Sequence, residues 1–275
     1  MPALIFDCDG VMADTEQHGH LPAFNAMFEK FGLPVHWDVP TYAQKVKIGG
    51  GKERIASILT EEFVSEAGLP TDPEVQRSLV QQWHMAKTEF YTTRINSGVV
   101  PARLGIARIA TEAHSAGWKL AMASTSAKES VYAVLRHAVG ESLAGEFLVF
   151  AGDVVPRKKP APDIYNLALF ELGLSADDCI VIEDSEIGLR AATSAGLRTV
   201  ITVSGFTKEE NFSGASLVVS SLGEPSPGEP SVVLDDPIVL GLQPLVDLSL
   251  LKRILNNERP HRTESNATPE QEKKS

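Results

Sequence analysis

The stretch 3–10, Ala-Leu-Ile-Phe-Asp-Cys-Asp-Gly, is an apolar run of strand length that ends on two acids and a glycine. The run is continuous rather than alternating, as in a strand covered on both faces of a parallel sheet. Four further runs match it: 119–123 (KLAMA), 147–150 (FLVF), 179–183 (CIVIE) and 198–203 (RTVITV). Helical patterns separate them, over about 102–116, 127–139, 162–172 and 186–195. Gly117, Gly173 and Gly196 fall just past three of these, where a left-handed C-terminal cap is favoured. The alternation predicts an α/β fold with a doubly wound parallel sheet and right-handed crossovers.

The rhythm breaks between about 15 and 95, where helical patterns (15–31, 50–67 and 73–94) run without a strand. This predicts a helical cap domain at 15–95, inserted after the first strand of a core made of 1–14 and 96–256. The Pro-rich stretch 223–237 (GEPSPGEPSVVLDDP) is read as irregular. A short amphipathic helix at about 245–256 is expected to dock on the core. Residues 257–275 are almost all polar and are expected to be disordered.

Composition narrows the classes. The 275 residues are 43% hydrophobic and 22% charged, which excludes full-length disorder, collagen and a coiled coil. Lys and Arg number 25 against 36 Asp and Glu, a net charge of −11. Such a surface repels phosphate backbones and anionic bilayers, so no nucleic-acid or membrane partner is expected. An anionic substrate then needs a local cluster of cations or a metal. The two cysteines, Cys8 and Cys179, sit in apolar runs and point to a reducing compartment. No apolar run approaches the roughly 20 residues of a membrane span. The opening apolar run is too short for a secretion signal, so no targeting segment is expected in the chain.

The chemistry gathers at strand ends, where open α/β sheets bind ligands. Alternation along the first strand puts Asp7 and Asp9 on one side and Cys8 on the other. Two carboxylates this close call for a cation, although turn-forming acids give the same pattern. The second strand ends in Ser124-Thr125-Ser126 before a helix, an anion site or a plain N-cap. A loop after the third ends Arg157-Lys158-Lys159-Pro160, offering a lysine to a phosphoryl oxygen or a solvated basic turn. The fourth ends Glu183-Asp184-Ser185, acids that complete a magnesium site or merely favour a helix start. All four together, at successive strand ends, favour the functional reading. In the helical segment, Gly49 to Arg54 (GGGKER) offers a second anion site or a flexible charged loop. His84 and Lys87 lie at i, i+3 on one helical face. His18 and His20 are read as structural or solvent-facing.

The set DCDGV, STS, the Lys-Pro of KKP, and EDS resembles the four motifs of the haloacid dehalogenase phosphatase superfamily, over residues 1 to about 220. The resemblance implies Asp7 as the nucleophile that forms an aspartyl-phosphate, and Asp9 as the acid and then the base. It implies Mg²⁺ on the Asp7 carboxylate, the Asp9 backbone carbonyl and Asp184, with Glu183 adjacent. Ser124 and Lys159 would hold the transferring oxygens. A narrower pattern includes DTE at 14–16, Trp37-Asp38, GGGKER, KTE at 87–89 and AGDVV at 151–155. It is similar to the CbbY-type xylulose-1,5-bisphosphate phosphatases, which remove a phosphate from a Rubisco misfire product that inhibits Rubisco. That likeness implies substrate contacts at Glu16, Gly50, Gly51, Lys52, Glu53, Arg54, His84 and Lys87, and from Ser124 through Thr125, Ser126 and Lys128 to Ser130. It implies a small sugar-phosphate partner, in the chloroplast stroma or a bacterial cytoplasm; a monomer is expected, although the extension after 222 departs from the compact end of that family. The alternatives are a β-phosphoglucomutase-like mutase and a catalytically silent sugar-phosphate binder; intact Asp7 and Asp9 weigh against the second.

Overall fold

In the computed structural model, which describes residues 1–241 and 244–256, β1 (Ala3–Phe6) is buried along its whole length. Helices follow in a row: α1 (Leu21–Lys30), α2 (Val39–Lys45), α3 (Gly51–Ala56), α4 (Glu61–Glu66) and α5 (Pro73–Asn96). After α6 (Ile106–Ser115) come β2 (Lys119–Ser124), α7 (Lys128–Val139), α8 (Glu141–Ala144) and β3 (Phe147–Ala151). Then α9 (Asp163–Leu172), β4 (Cys179–Glu183), α10 (Glu186–Ser194) and β5 (Arg198–Thr202) alternate. The chain closes with β6 (Leu217–Val219), β7 (Val233–Asp235) and α11 (Leu248–Asn256).

The sheet order is β3-β2-β1-β4-β5-β6-β7. Pairing is parallel from β3 through to β6, and β7 joins β6 antiparallel. This is the expected doubly wound arrangement, with β1 central. Leu4, Phe6, Leu120, Met122, Ile180 and Ile182 enter one hydrophobic cluster, while Ala3, Ile5, Ala121, Ala123, Cys179 and Val181 enter another. Both faces of β1, β2 and β4 are therefore covered, which is why their runs are apolar throughout rather than alternating. In register, Phe6 pairs with both Met122 and Ile182. The carboxyl ends of β1, β2 and β4 thus finish level and bring Asp7, Ser124, Glu183 and Asp184 to one edge.

Residues 21–86 build a hydrophobic cluster of their own, with Phe24, Phe28, Trp37, Tyr42, Ile55 and Trp83 buried in it. This layer differs in detail from the sequence reading. The segment expected as one helix over 50–67 is two, α3 and α4, because Thr60 accepts from the Phe63 amide and starts a new helix. The segment 15–31 opens with a π-helical turn, Glu16–His20, before α1. The seven-residue helix α2, capped by Asp38, was not expected.

The stretch 223–237 is not wholly irregular, since it holds β7; β6 was unexpected as well. Three residues are too few to display a period. The docking helix lies at α11, with Leu250, Leu251 and Ile254 buried in the main core. Arg108 ties this extension down, donating from Nη2 to the carbonyls of Leu222, Gly223 and Val246 at 2.9, 2.9 and 3.1 Å. The expected disorder over 257–275 lies outside the described residues. No helix among the described residues is long and apolar enough to cross a membrane.

Candidate active site

At the level edge of the sheet, Lys159 reaches in from the loop after β3. Its Nζ donates to Asp7 Oδ1 at 2.6 Å, to Glu183 Oε1 at 2.7 Å and to the Ala123 carbonyl at 2.9 Å. Three acceptors use all three ammonium hydrogens. Burial opposes the charge, but Asp7 and Glu183 outweigh it and hold the lysine pKa well above its usual value. Glu183 is fully buried. It accepts from Lys159 and from the Tyr165 hydroxyl (2.8 Å) on one oxygen, and from the Asp184 amide (3.1 Å) and Ser185 (3.3 Å) on the other. Two glycines make this packing possible. A Cβ on Gly188 would lie 1.9 Å from Glu183 Oε1, and one on Gly10 would lie 2.1 Å from Asp184 Oδ2. Gly10 also sits at φ +74°, a region that L side chains avoid.

Asp7, Glu183 and Asp184 present carboxylate oxygens that all lie within 4.8 Å of one another. Burial, with Glu183 and Asp9 adding to it and Lys159 opposing, pushes the Asp7 carboxyl up to about 7. Burial and the charges of Glu183 and Asp7 raise Asp184 well above the carboxylate range. One ammonium does not neutralise three acids. Hard oxygen donors in excess of positive charge fit a divalent cation such as Mg²⁺. Glu183 is already engaged by four donors, so Asp7 and Asp184 are the freer ligands.

Asp9 stands apart from this trio. Its Oδ1 accepts from His20 Nε2 (2.8 Å), Thr15 (2.8 Å) and Tyr91 (3.2 Å), and its Oδ2 accepts from Ser126. Burial works against ionisation, yet the His20 charge and the bonds from His20, Ser126 and Thr15 hold this carboxyl well below the usual range. The other His20 nitrogen, Nδ1, meets Lys87 Nζ at 2.6 Å, and the ring stacks on Tyr91 at 4.1 Å. Burial pushes the Lys87 ammonium down to about 7. His20 is therefore not solvent-facing. The π-helical turn adds a residue to the helical period and swings His20 inward, while His18, half exposed, lies 3.5 Å from Asp14. A 3.6-residue pattern carries no sign of that turn. Tyr91 and Thr15 went unrecognised for a simpler reason, since each reads as an ordinary core or cap residue.

The cavity between sheet and helices is lined by Asp7, Asp9, Ser124, Lys159 and Asp184 from the core side, and by Glu16, His20, Arg54, His84 and Lys87 from the helices. Gly50, Gly51, Thr125, Ser126, Ser130 and Glu183 complete its expected wall. Ser204, Phe206 and Thr207 line it too, from a loop after β5 that no motif marked. Arg54 is largely but not fully buried, donating from Nη1 to both Glu16 oxygens (3.2 and 3.1 Å) and to the Tyr42 hydroxyl (2.8 Å), and from Nε to the Ile48 carbonyl (2.9 Å). The His84 imidazole is pushed down to about 3, by burial first and then by Lys87, Lys52 and Lys158, which keeps it neutral. Three expected contacts lie elsewhere. Lys52 Nζ is 2.5 Å from Asp153, Glu53 pairs with Lys158 at 2.8 Å, and Lys128 stands over the Tyr132 ring.

A family model described as haloacid dehalogenase-like hydrolase matches residues 1–196. The protein CbbY of Cupriavidus necator is 42% identical over 239 residues, covering 85% of this chain and 90% of its own length. A CBBY-like protein of Arabidopsis thaliana is 42% identical over 223 residues, 81% of this chain and 70% of the relative. Among solved structures, a mutant CbbY from Rhodobacter sphaeroides in complex with xylulose-1,5-bisphosphate superposes with a TM-score of 0.71 at 36% identity. The match covers 80% of this chain and 95% of that one.

Proposed function

Starting from the haloacid dehalogenase-like hydrolases, the family to which this chain belongs as a phosphatase of the CbbY type, we propose that it hydrolyses xylulose-1,5-bisphosphate to xylulose-5-phosphate. The observation that carries the reading is the split between the two acids of the first strand. Asp7 lies against Lys159 among carboxylates, and Asp9 lies among His20, Thr15, Tyr91 and Ser126. Two carboxyls held in opposed environments take separate roles as nucleophile and acid/base.

In this mechanism the Asp7 oxygen not held by Lys159 attacks phosphorus and forms an aspartyl-phosphate. Lys159, giving up one of its three acceptors of the ligand-free site, and Ser124 hold the equatorial oxygens, and Asp9 protonates the departing sugar oxygen. The ligand-free site keeps Asp9 in its base form. A phosphate dianion entering beside Ser126 brings like charge and competes for that hydroxyl, and both effects raise the Asp9 pKa toward the acid form. In the second half-reaction Asp9 takes a proton from water, which attacks the aspartyl-phosphate. Mg²⁺, held by Asp7 and Asp184 beside Glu183 and the Asp9 carbonyl, supplies charge neutralisation for the phosphoryl group when bound. We read residues 15–95 as a cap over the core of 1–14 and 96–256. Glu16, Gly50, Gly51, Arg54, His84 and Lys87 meet the sugar and distal phosphate there, opposite Thr125 and Ser126. A monomer working beside Rubisco, in the chloroplast stroma or a bacterial cytoplasm, completes the reading.

The test is phosphate release with Mg²⁺ across xylulose-1,5-bisphosphate, xylulose-5-phosphate, ribulose-1,5-bisphosphate and β-glucose-1-phosphate. The first should give the highest kcat/KM by a wide margin. A preference for β-glucose-1-phosphate, or no discrimination, rejects the substrate assignment.

A further inference from the structure

We propose that Lys52, Glu53, Asp153 and Lys158 form an ionic clasp between the helical layer and the core, and that this clasp sets how far the cavity closes. The inference rests on reading the helical layer as a cap. Lys52 and Glu53 lie in the first turn of α3, in the layer; Asp153 and Lys158 lie in the loop after β3, in the core. Their charges alternate along a chain of contacts. Lys52 Nζ meets Asp153 Oδ2 at 2.5 Å, Asp153 Oδ1 meets Lys158 Nζ at 3.2 Å, and Lys158 Nζ meets Glu53 Oε1 at 2.8 Å. The outer two contacts cross the seam.

The backbone is shaped for this approach. A Cβ on Gly50, at φ +99°, would lie 2.1 Å from Glu53 Oε2 and 2.9 Å from Lys158 Nζ. A Cβ on Gly49 would lie 3.2 Å from the Lys159 carbonyl. The glycine run thus lets the layer come down onto the core loop that carries the clasp. None of the four charged residues lines the cavity, yet Lys52, Glu53 and Lys158 are each next to one that does. Lys158 precedes Lys159, which holds Asp7, and Glu53 precedes Arg54, which holds Glu16.

An exposed ion pair contributes little to folding. A pair that exists only in the closed form acts differently, because all of its energy biases the equilibrium between open and closed forms. These are positioning residues, with no contact to the reacting atoms. Loosening the clasp lowers the closed, binding-competent fraction and raises KM. It leaves kcat unchanged, or raises it where reopening limits turnover.

Three variants test this: Lys52→Ala, Asp153→Asn and the two combined, assayed on xylulose-1,5-bisphosphate. Each single change should raise KM about 3-fold, and the double should do no more than either, as expected for one shared contact. If Lys52 instead gripped a substrate phosphate, Asp153→Asn would free it and lower KM. A lowered KM, or additive losses in the double variant, overturns the clasp. A second measurement needs no substrate. Amide exchange over Arg54–Ile58 in the ligand-free protein should quicken equally in all three variants, and unchanged exchange also overturns the proposal. Failure of the substrate assignment would leave this second test standing.

Discussion

At the sheet edge three carboxylates, Asp7, Glu183 and Asp184, share a single ammonium, Lys159. Across the cavity, the helical layer matches its acids with nearby donors, Glu16 with Arg54 and Tyr42 and Glu53 with Lys158, and its His20 reaches over to Asp9 of the core. One wall is short of positive charge and the other is balanced. In the proposed reaction the imbalance marks where a cation from outside would act, and the balance marks where shape and hydrogen bonding would do the selecting. The two walls should therefore respond to different perturbations.

The largest effect belongs to the unbalanced wall. Asp7→Asn keeps the shape, removes the attacking oxygen and weakens the acid cluster. Neither phosphate release nor an acid-trapped phosphoenzyme should be detectable. Chelation of divalent metal should silence the wild type in the same way, with Mg²⁺ restoring it. Full turnover in excess chelator would show that Lys159 alone balances the trio.

Next comes the acid shared between the walls. Asp9→Asn retains a side chain that can still accept from Thr15 and Ser126 but cannot shuttle a proton. Loss of a general acid/base is expected to cost about 10²–10⁴-fold in kcat. A near wild-type rate would move proton transfer to another group, and His20 is the neighbour to examine first.

The walls should also differ in how pH changes their stability. The raised Asp7 pKa means that the folded protein holds this proton more tightly than the unfolded chain does. Its contribution is present below the ordinary value of 3.8 and is lost as pH rises toward about 7. Lys87 has the opposite sign. Its pKa is pushed from 10.5 down to about 7, so burying the ammonium costs stability below 7, and that cost is relieved as pH climbs toward 10.5. In chelator, the urea-unfolding stability of the wild type relative to Asp7→Asn should fall between about pH 4 and 7, a comparison that removes the opposite contribution of His84 over about 3 to 6.5, and the wild type should gain stability above 7. Lys87→Met should remove the upper rise, on the order of 4 kcal/mol. Mg²⁺ should shrink the lower fall by binding only the folded trio. An upper rise that survives in Lys87→Met would assign it to another group.

The unbalanced wall was far more legible in the sequence than the balanced one. Asp7, Ser124, Lys159, Glu183 and Asp184 follow buried strands or the loops after them, and a strand's apolar run announces where it ends. The parallel register then brings those ends together without further information. The helical layer offers no such frame. His20 reaches Asp9 through a π-helical turn, and Tyr91 reaches it from the last turns of α5, 82 residues away in sequence. Lys52 reads as a phosphate ligand in GGGKER, yet its partner Asp153 lies 101 residues away on another element. Charge type is visible in a sequence; which opposite charge the fold delivers to it is not.

Phe206 gives the smallest effect and bears on whether the two walls move as separate bodies. It belongs to the core loop after β5, but it packs into the layer's hydrophobic cluster, with its ring edge-on to Tyr42 at 5.6 Å between centroids. Tyr42 in turn contacts Glu16 and Arg54, so this contact touches the wall proposed to select the substrate. An aromatic pair of this geometry contributes about 0.5–1.5 kcal/mol beyond its buried area. Phe206→Leu keeps most of the bulk and loses the edge-on contact, so closure should weaken by roughly 2- to 10-fold. The loss should appear in KM for the bisphosphate. Hydrolysis of a small aryl phosphate, which has no distal group for Arg54 to meet, should hardly change. Equal losses on both substrates would mean that Phe206 shapes the core wall itself, through Ser204 and Thr207 beside it, and that the line between the walls runs through the helical layer rather than along the seam.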